Sequence, residues 1–279
     1  GEASIEANIG LSYAMTNELP AAEQHLRRAV QMRGATSRVR QNLALVVGLQ
    51  GRFDECRALY AAELPPEQVQ PLPTTFERAA AAGVRGLLCC GCCEANWPEV
   101  LRIADAYPAV MPALGLHPWY LDGRSGRWPD RLEASLAPRP GAVGEAGLDH
   151  AVEPRRDEEQ EAVLVAQLRI ARRLRRPVSL HCRKAWGRLL AILRAEAGPG
   201  LAGMIHAYSG PAELVRPLED LGWYCSFGGS VTRRANRRGR LALAAVSPER
   251  LLIETDSPDL PPEGAPGPVN EPANLALVA

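Results

Sequence analysis

The sequence predicts an α/β protein whose main part is a parallel barrel-like domain, preceded by a short all-α segment. Three observations favour this fold class. Over the last two-thirds of the 279 residues, short apolar runs alternate with helical patterns, which indicates parallel strands connected by helices. Four of these runs end in a carboxylate or an imidazole, and barrel enzymes carry such groups at the carboxyl ends of their strands. The first part instead shows a helical repeat that ends in a cluster of prolines.

The composition is that of an ordinary globular protein, with 46% apolar and 23% charged residues and a formal net charge of zero. A neutral chain has no overall field that attracts nucleic acid, so any phosphate contact must come from a local cluster of charge. No apolar run reaches the ~18 residues of a membrane span, so we expect no membrane partner. The seven cysteines are more typical of reduced thiols than of a disulfide framework, which favours a cytoplasmic location.

Residues 1–64 have the pattern of tandem helical repeats. Asn8-Ile-Gly-Leu and Asn42-Leu-Ala-Leu lie 34 residues apart, and this period of helix, turn and helix is typical of tetratricopeptide repeats. Leu45 and Leu59 belong to a set of apolar residues that recur at helical spacing. The segment resembles the repeats of pilus-assembly proteins of the TadD type, which implies binding of a protein partner.

A Pro-rich junction at residues 65–73 separates these repeats from a second domain at 74–279, because its prolines interrupt any helix. In that domain the predicted strands are 84–90, 110–116, 141–145, 177–182, 202–206, 223–228 and 250–255. The predicted helices are 74–82, 96–106, 127–137, 155–175, 184–196, 211–221 and 234–245. A closed parallel barrel has eight strands, and the one missing from this pattern is the first.

The runs that end in ligand-type side chains follow one another in order along the second domain. They are Gly-Glu145-Ala-Gly-Leu-Asp149, Pro-Val-Ser-Leu-His181-Cys-Arg183, Met-Ile-His206-Ala-Tyr-Ser-Gly and Leu-Leu-Ile-Glu254-Thr-Asp256-Ser-Pro. Imidazoles and carboxylates that converge on one rim suit a divalent metal. Together with Ala-Leu-Gly-Leu-His117-Pro and Asn270-Glu-Pro, these motifs resemble those of the TatD family of metal-dependent hydrolases over about residues 74–275.

This resemblance implies a TIM-barrel-like metallohydrolase of the amidohydrolase type with two metal ions, which cleaves phosphodiesters and typically acts as a deoxyribonuclease on DNA. Matched motif by motif, Glu145 would bridge the ions, and His181 and His206 would bind the second one. Asp256 would bind the first ion and orient or deprotonate the attacking water. His117 and Arg183 would hold a substrate phosphate. Mg²⁺, Mn²⁺ and Zn²⁺ all suit such ligands.

Three further expectations come from local pattern. Glu254 lies two residues before Asp256 and shares its strand face, so it is a candidate hydrogen-bond acceptor for a ligand imidazole. Asp149 is expected to order its own turn. The run from Arg233 to Arg240 is most simply a solvated helix face, and contact with nucleic acid is the alternative.

One departure from the family pattern concerns the first metal ion. The family begins with a His-x-His strand that this sequence lacks, so only Glu145 and Asp256 would remain for that ion. The chain would then bind fewer ions than its family, and hydrolysis would be impaired.

Two other functions are compatible with the sequence. One is a helical-repeat interaction module joined to an inactive barrel remnant. A third hypothesis keeps the barrel and replaces the phosphodiester with an amide or ester, since fold does not determine substrate.

Overall fold

The computed structural model describes residues 2–15, 18–50, 52, 55, 59, 72–267 and 269–279. The chain divides into two compact units, and the division falls between Thr74 and Thr75. Most of the predicted junction, up to residue 71, lies outside the described residues. No helix among the described residues is both long enough and apolar enough to cross a membrane.

The first unit contains three helices in its described part: α1 (Glu2–Met15), α2 (Leu19–Gln31) and α3 (Ser37–Leu49). Small and branched apolar residues form their common core, including Ala22, Leu26 and Val46. Leu59 packs against this core, whereas Leu45 is 49% exposed. Of the two leucines that recur at helical spacing, only Leu59 therefore contacts the core. The buried side chains of α3 are those next to Leu45, such as Val46.

The second unit is built on a parallel sheet. Among the described residues it has seven strands, hydrogen-bonded in the order of the sequence. They are β1 (Leu87–Gly91), β2 (Val110–Leu114), β3 (Ala142–Asp149), β4 (Val178–Arg183), β5 (Gly203–Ile205), β6 (Trp223–Phe227) and β7 (Leu251–Ile253). Within the described part of the chain no pairing joins β7 to β1, so the sheet is open on that side. This is the predicted architecture, with the predicted number of strands.

A helix, α4 (Leu72–Ala81), precedes the first strand. The helices that connect the strands are α5 (Trp97–Ala106), α6 (Trp128–Leu136), α7 (Asp157–Leu174), α8 (Trp186–Ala195), α9 (Val215–Asp220) and α10 (Arg237–Ala245). Strands and connecting helices share one contiguous apolar core, which includes Leu114, Leu148, Leu164 and Phe227. Because every strand is parallel to the next, all carboxyl ends meet on one rim.

β3 is longer than predicted, and this changes the site. The expected strand ended at residue 145, but the pairing with β4 continues to Asp149, which lies opposite Arg183. Gly147 makes the extension possible, since a Cβ atom at this position would lie 1.9 Å from the carbonyl oxygen of His181. Only a glycine permits so close an approach of two backbones. Asp149 is therefore a strand-end residue on the rim.

Two predicted helices begin or divide differently. The helix expected at 211–221 is a short 3-10 turn, Ala212–Leu214, followed by α9. The helix expected from 234 begins at 237, because the Asn236 side chain accepts a hydrogen bond from the Gly239 N–H and so caps the first turn.

Candidate metal centre at the carboxyl ends of the strands

Glu145 lies at the centre of a cluster of imidazoles on the rim. Its Oε1 atom is 3.1 Å from His206 Nε2, 3.5 Å from His181 Nδ1 and 3.9 Å from His117 Nε2. The side chain is only 15% exposed. Although burial opposes ionisation, hydrogen bonds with His181 and His206 hold the pKa of Glu145 well below its usual range. The carboxylate is therefore charged.

His206 is held between two carboxylates. Its Nδ1 atom lies 2.9 Å from Glu254 Oε1, on the side away from Glu145. Glu254 also accepts a hydrogen bond of 2.6 Å from the backbone N–H of Ala207. Burial disfavours the protonated ring, but the contacts with Glu145 and Glu254 outweigh it and raise the pKa of His206 well above its usual value. Glu254 thus occupies the position from which an acceptor orients an imidazole.

His181 is held in the same way by a different carboxylate. Its Nε2 atom lies 3.3 Å from Asp149 Oδ2, and its Nδ1 atom faces Glu145. The Asp149 side chain is fully buried and also accepts hydrogen bonds from the Trp119 indole, 2.7 Å, and from the Ala151 N–H, 2.7 Å. These contacts lower the pKa of Asp149 to about 2 against the effect of burial. Asp149 does order its turn, as expected, but it also lies against His181.

His117 differs from the other two imidazoles because it is neutral. Burial lowers the pKa of its ring to about 3. Its Nδ1 atom accepts a hydrogen bond of 3.2 Å from the Trp119 N–H, so its proton is on Nε2, which points towards Glu145. The ring therefore offers a hydrogen-bond donor to the site. This arrangement suits contact with an anionic oxygen better than it suits binding of a metal.

Asp256 lies beside His206, with 3.9 Å between Asp256 Oδ1 and His206 Nε2. Its backbone is in the left-handed region, with φ of 58°, a conformation that non-glycine residues adopt mainly at turns and functional sites. Burial raises the pKa of its carboxyl group. The buried Asn270 side chain holds the loop by donating to the carbonyl oxygens of Thr255, 2.5 Å, and Asp259, 2.8 Å.

Arg183 is at the edge of the cluster. Its side chain is 57% exposed, and one guanidinium nitrogen lies 4.0 Å from Asp149 Oδ2. The structure therefore brings together all the residues that the sequence predicted for the site, with Arg183 the most open of them.

Sequence reasoning missed three residues that position the site. Gln160 and Gln167 are both buried on α7. The Gln160 side chain accepts a hydrogen bond from the backbone N–H of Asp149 and donates one to the C=O of the same residue. The Gln167 side chain makes the same two hydrogen bonds with the backbone of Leu116, which precedes His117. Their spacing of two helical turns on an apolar face is the signal that could have found them. Trp119, which is 49% exposed at the site, carried no such signal.

The donor set fits a divalent cation. In each of His181 and His206 one ring nitrogen faces an orienting carboxylate, which directs the other nitrogen at Glu145. A nitrogen lone pair and a carboxylate oxygen repel each other unless a positive charge lies between them. Protonation of both imidazole rings adds two positive charges beside Glu145, and one divalent ion in their place adds the same charge. Side-chain atoms of His117, Glu145 and His181 lie within 4.8 Å of one another, so the His117 donor is close to any group bound at Glu145.

A model of the family described as TatD related DNase matches residues 64–279. The chain belongs to the TatD family. YjjV of Escherichia coli strain K12, an uncharacterized metal-dependent hydrolase, is 34% identical over 207 residues, 73% of this chain and 80% of that protein. The 3'-5' ssDNA/RNA exonuclease TatD of Klebsiella pneumoniae strain 342 is 38% identical over 212 residues, 71% of this chain and 78% of that protein.

Solved structures of TatD proteins have the same fold. The crystal structure of YjjV matches with a TM-score of 0.67 at 32% identity, covering 74% of this chain and 80% of that chain. These comparisons confirm the prediction of a TatD-type metal-dependent hydrolase with a barrel-like α/β fold. The family match begins at residue 64 and does not include α1–α3. The alternative of a helical-repeat module joined to an inactive barrel receives no support from them.

Proposed function

We propose that this chain hydrolyses phosphodiester bonds in a nucleic acid with the help of divalent metal bound at Glu145. The observation that carries the proposal is that one buried carboxylate oxygen faces ring nitrogens of three histidines, two of which are held from behind by further carboxylates. Two TatD relatives, from Citrobacter koseri and Klebsiella pneumoniae, are 3'-5' ssDNA/RNA exonucleases, which supports the choice of substrate.

Glu145, His181 and His206 would hold the second ion of the family pattern, and Asp256 with Glu145 would provide a weaker position for the first. When bound, a divalent ion lowers the pKa of a coordinated water and neutralises charge on the phosphate. Mg²⁺, Mn²⁺ and Zn²⁺ are the candidates, because carboxylate and imidazole ligands accept each of them. Without a His-x-His strand in the sequence, the position of the first ion has two carboxylates and no imidazole of its own.

The residues around the ions have separate tasks in this proposal. Glu254 and Asp149 fix the rotation of His206 and His181, so that the nitrogens facing Glu145 stay aligned. Asp256 takes up a proton from the attacking water, and its position beside His206 at the centre favours that role. His117 donates its Nε2 proton in a hydrogen bond to a phosphate oxygen, and Arg183 contacts the phosphate from the open edge of the site.

A cytoplasmic location is part of the proposal. The six cysteines among the described residues are all free thiols, which is the state expected in a reducing compartment.

Titration of the metal-stripped chain with Mn²⁺ by calorimetry tests the site. We expect at least one ion to bind the wild type, and Glu145→Gln to weaken binding by more than about a hundredfold, since it removes the charge that the imidazoles face. Glu219→Gln is the matched control. Glu219 is also buried, but it accepts from the N–H and hydroxyl of Ser247, away from the cluster.

The substrate is tested with the same variants. We expect Mn²⁺-dependent release of mononucleotides from a single-stranded oligonucleotide by the wild type and the control, and none by Glu145→Gln. Equal metal binding by Glu145→Gln and wild type would contradict the assigned centre. Metal-dependent hydrolysis of amides or esters without any cleavage of oligonucleotide would contradict the assigned substrate.

A further inference from the structure

The loop after β6 and the first turn of α10 carry a dense cluster of arginines, residues 233–240, which we call the arginine segment. We propose that this segment binds the phosphate backbone of a nucleic acid strand as the strand enters or leaves the candidate metal centre. The inference rests on the proposed function and adds to it the surface that holds the substrate outside the reacting bond.

The charge of the arginine segment is unusual for this chain. It contains five arginines in eight residues, and no Asp or Glu occurs between Asp220 and Glu249, although the formal net charge of the whole chain is zero. All five side chains are exposed. A local concentration of positive charge on an otherwise neutral protein attracts polyanions to that one place.

These arginines also lack the partners that most other arginines have. Many exposed arginines of the sheet domain pair with acids, as Arg173 does with Glu133 at 2.6 Å and Arg169 with Glu196 at 2.7 Å. Within the described residues, no ion pair involves any arginine of the segment. Four guanidinium groups, those of Arg234, Arg237, Arg238 and Arg240, therefore keep their donors free for a ligand. The planar guanidinium fork matches the oxygens of a phosphate.

The segment follows, five residues later, a glycine that contacts the candidate metal centre. A Cβ atom added at Gly228 would lie 3.4 Å from Glu254 Cγ, and the Glu254 N–H donates to the carbonyl oxygen of Phe227 at 3.0 Å. Glu254 is the residue that contacts His206. The arginines thus follow the centre within a few residues of chain, and we expect one extended nucleic acid strand to contact both.

Contacts with the loop that follows Asp256 fix the backbone at the start of the arginine segment. The backbone at Gly229 lies so close to the loop that follows Asp256 that an added Cβ would be 2.4 Å from the carbonyl oxygen of Leu260. Arg233 donates to the carbonyl oxygen of Pro261 at 3.2 Å, and the Glu263 N–H donates to Thr232 Oγ1 at 2.8 Å. With the Asn236 cap of α10, these contacts fix the backbone while the other arginines point into solvent. A binding surface that is already ordered loses little entropy when a ligand binds.

The test is binding of a fluorescent single-stranded oligonucleotide by the full chain in EDTA, followed by anisotropy as a function of salt concentration. The variant is R234Q/R237Q/R238Q. We omit Arg233 because of its contact with Pro261. We expect binding to weaken at least tenfold at about 50 mM salt, and the slope of log K against log salt to become shallower by about 2, since each lost contact to a single strand removes about 0.7.

R85Q/R175Q/R194Q is the matched control, with the same change in charge. These three arginines are also exposed, and none of them forms an ion pair within the described part of the chain. They precede β1, β4 and β5 and so lie at the amino ends of the strands, the opposite end from the centre. We expect the control to bind as the wild type does.

Binding in EDTA requires no turnover, so it separates this inference from the proposed function. Equal losses of affinity in the variant and the control would overturn the inference, even if the chain proves to be a nuclease. Equally tight binding of polyglutamate of matched length would also overturn it, because the segment would then recognise charge and not a phosphate backbone. A loss confined to R234Q/R237Q/R238Q would support it, even in a chain without nuclease activity.

Discussion

The two units of this protein are stabilised by different kinds of contact. In the helical unit the core residues are mostly small or branched, and charged side chains such as Glu23, Arg27 and Arg52 form ion pairs near the surface. In the sheet unit, the backbones of β3 and β4 pack so closely at Gly147 that a side chain there would clash. Buried side-chain amides also hydrogen-bond to the backbone near the rim, as Gln167 does with Leu116. The comparison shows that the rim of the sheet unit is positioned by close backbone contacts and buried amide hydrogen bonds, whereas the helical unit relies on apolar packing and ion pairs.

The largest effect is expected from Gly147→Ala. The added methyl group would lie 1.9 Å from the carbonyl oxygen of His181, so β3 and β4 would have to separate, at a cost of roughly 3 kcal/mol or more. Denaturant unfolding measures the loss. Gly187→Ala is the control, because a Cβ there meets nothing within 4 Å and alanine is favoured in a helix by about 0.5–1 kcal/mol. Equal stability of the two variants would contradict the packing of β3 against β4.

An intermediate effect is expected from Gln167→Leu. Both Gln167 and Leu116 are at most 1% exposed, so the N–H and C=O of Leu116 would lose their partners without gaining water. We expect a loss of about 2 kcal/mol in the free energy of unfolding. Ala162→Leu places the same side chain on the exposed side of α7, where substitutions usually change stability by less than about 0.5 kcal/mol. Indistinguishable unfolding curves would show that Gln167 does not support the rim.

The smallest effect is expected in the helical unit, and it depends on pH. Hydrogen bonds, first from Arg52 and then from Gln50 and Arg27, lower the pKa of Glu23 to about 2 from 4.5. A carboxyl group whose pKa is lower in the folded than in the unfolded state stabilises the fold at any pH above its unfolded-state pKa. This stabilisation is lost as the pH falls through the folded-state pKa. Glu23→Gln should therefore cost at most about 1 kcal/mol at pH 7, since the arginines remain half in water.

This difference between wild type and Glu23→Gln should shrink between about pH 4.5 and pH 2 and vanish below that range. Thermal unfolding followed by circular dichroism at several pH values measures it. A constant difference down to the lowest pH would show that the ionised carboxylate of Glu23 contributes nothing and that the substitution acts through packing.

The sequence predicted the fold and much of the site because both are encoded locally. Each strand of the sheet is an apolar run with helical patterns on either side, and these patterns do not depend on distant residues. The parallel order then requires His181, His206 and Asp256 to meet on one rim. The end of β3 was predicted wrongly, because a strand with two glycines has little propensity of its own. Its extension to Asp149 depends on pairing with β4.

By itself, the sequence determined which residues stand at the ends of the strands and which family they belong to, since motif order and periodicity are properties of neighbours along the chain. Only the tertiary structure decided how those residues divide their tasks. It directs the Trp119 N–H at His117 and so sets its tautomer, and it brings Asp149 against His181. Within the part of the chain that the structure describes, it also forms no ion pair between the arginine segment and an acid. These outcomes depend on distances between atoms far apart in the sequence, because hydrogen bonds and charges act through space.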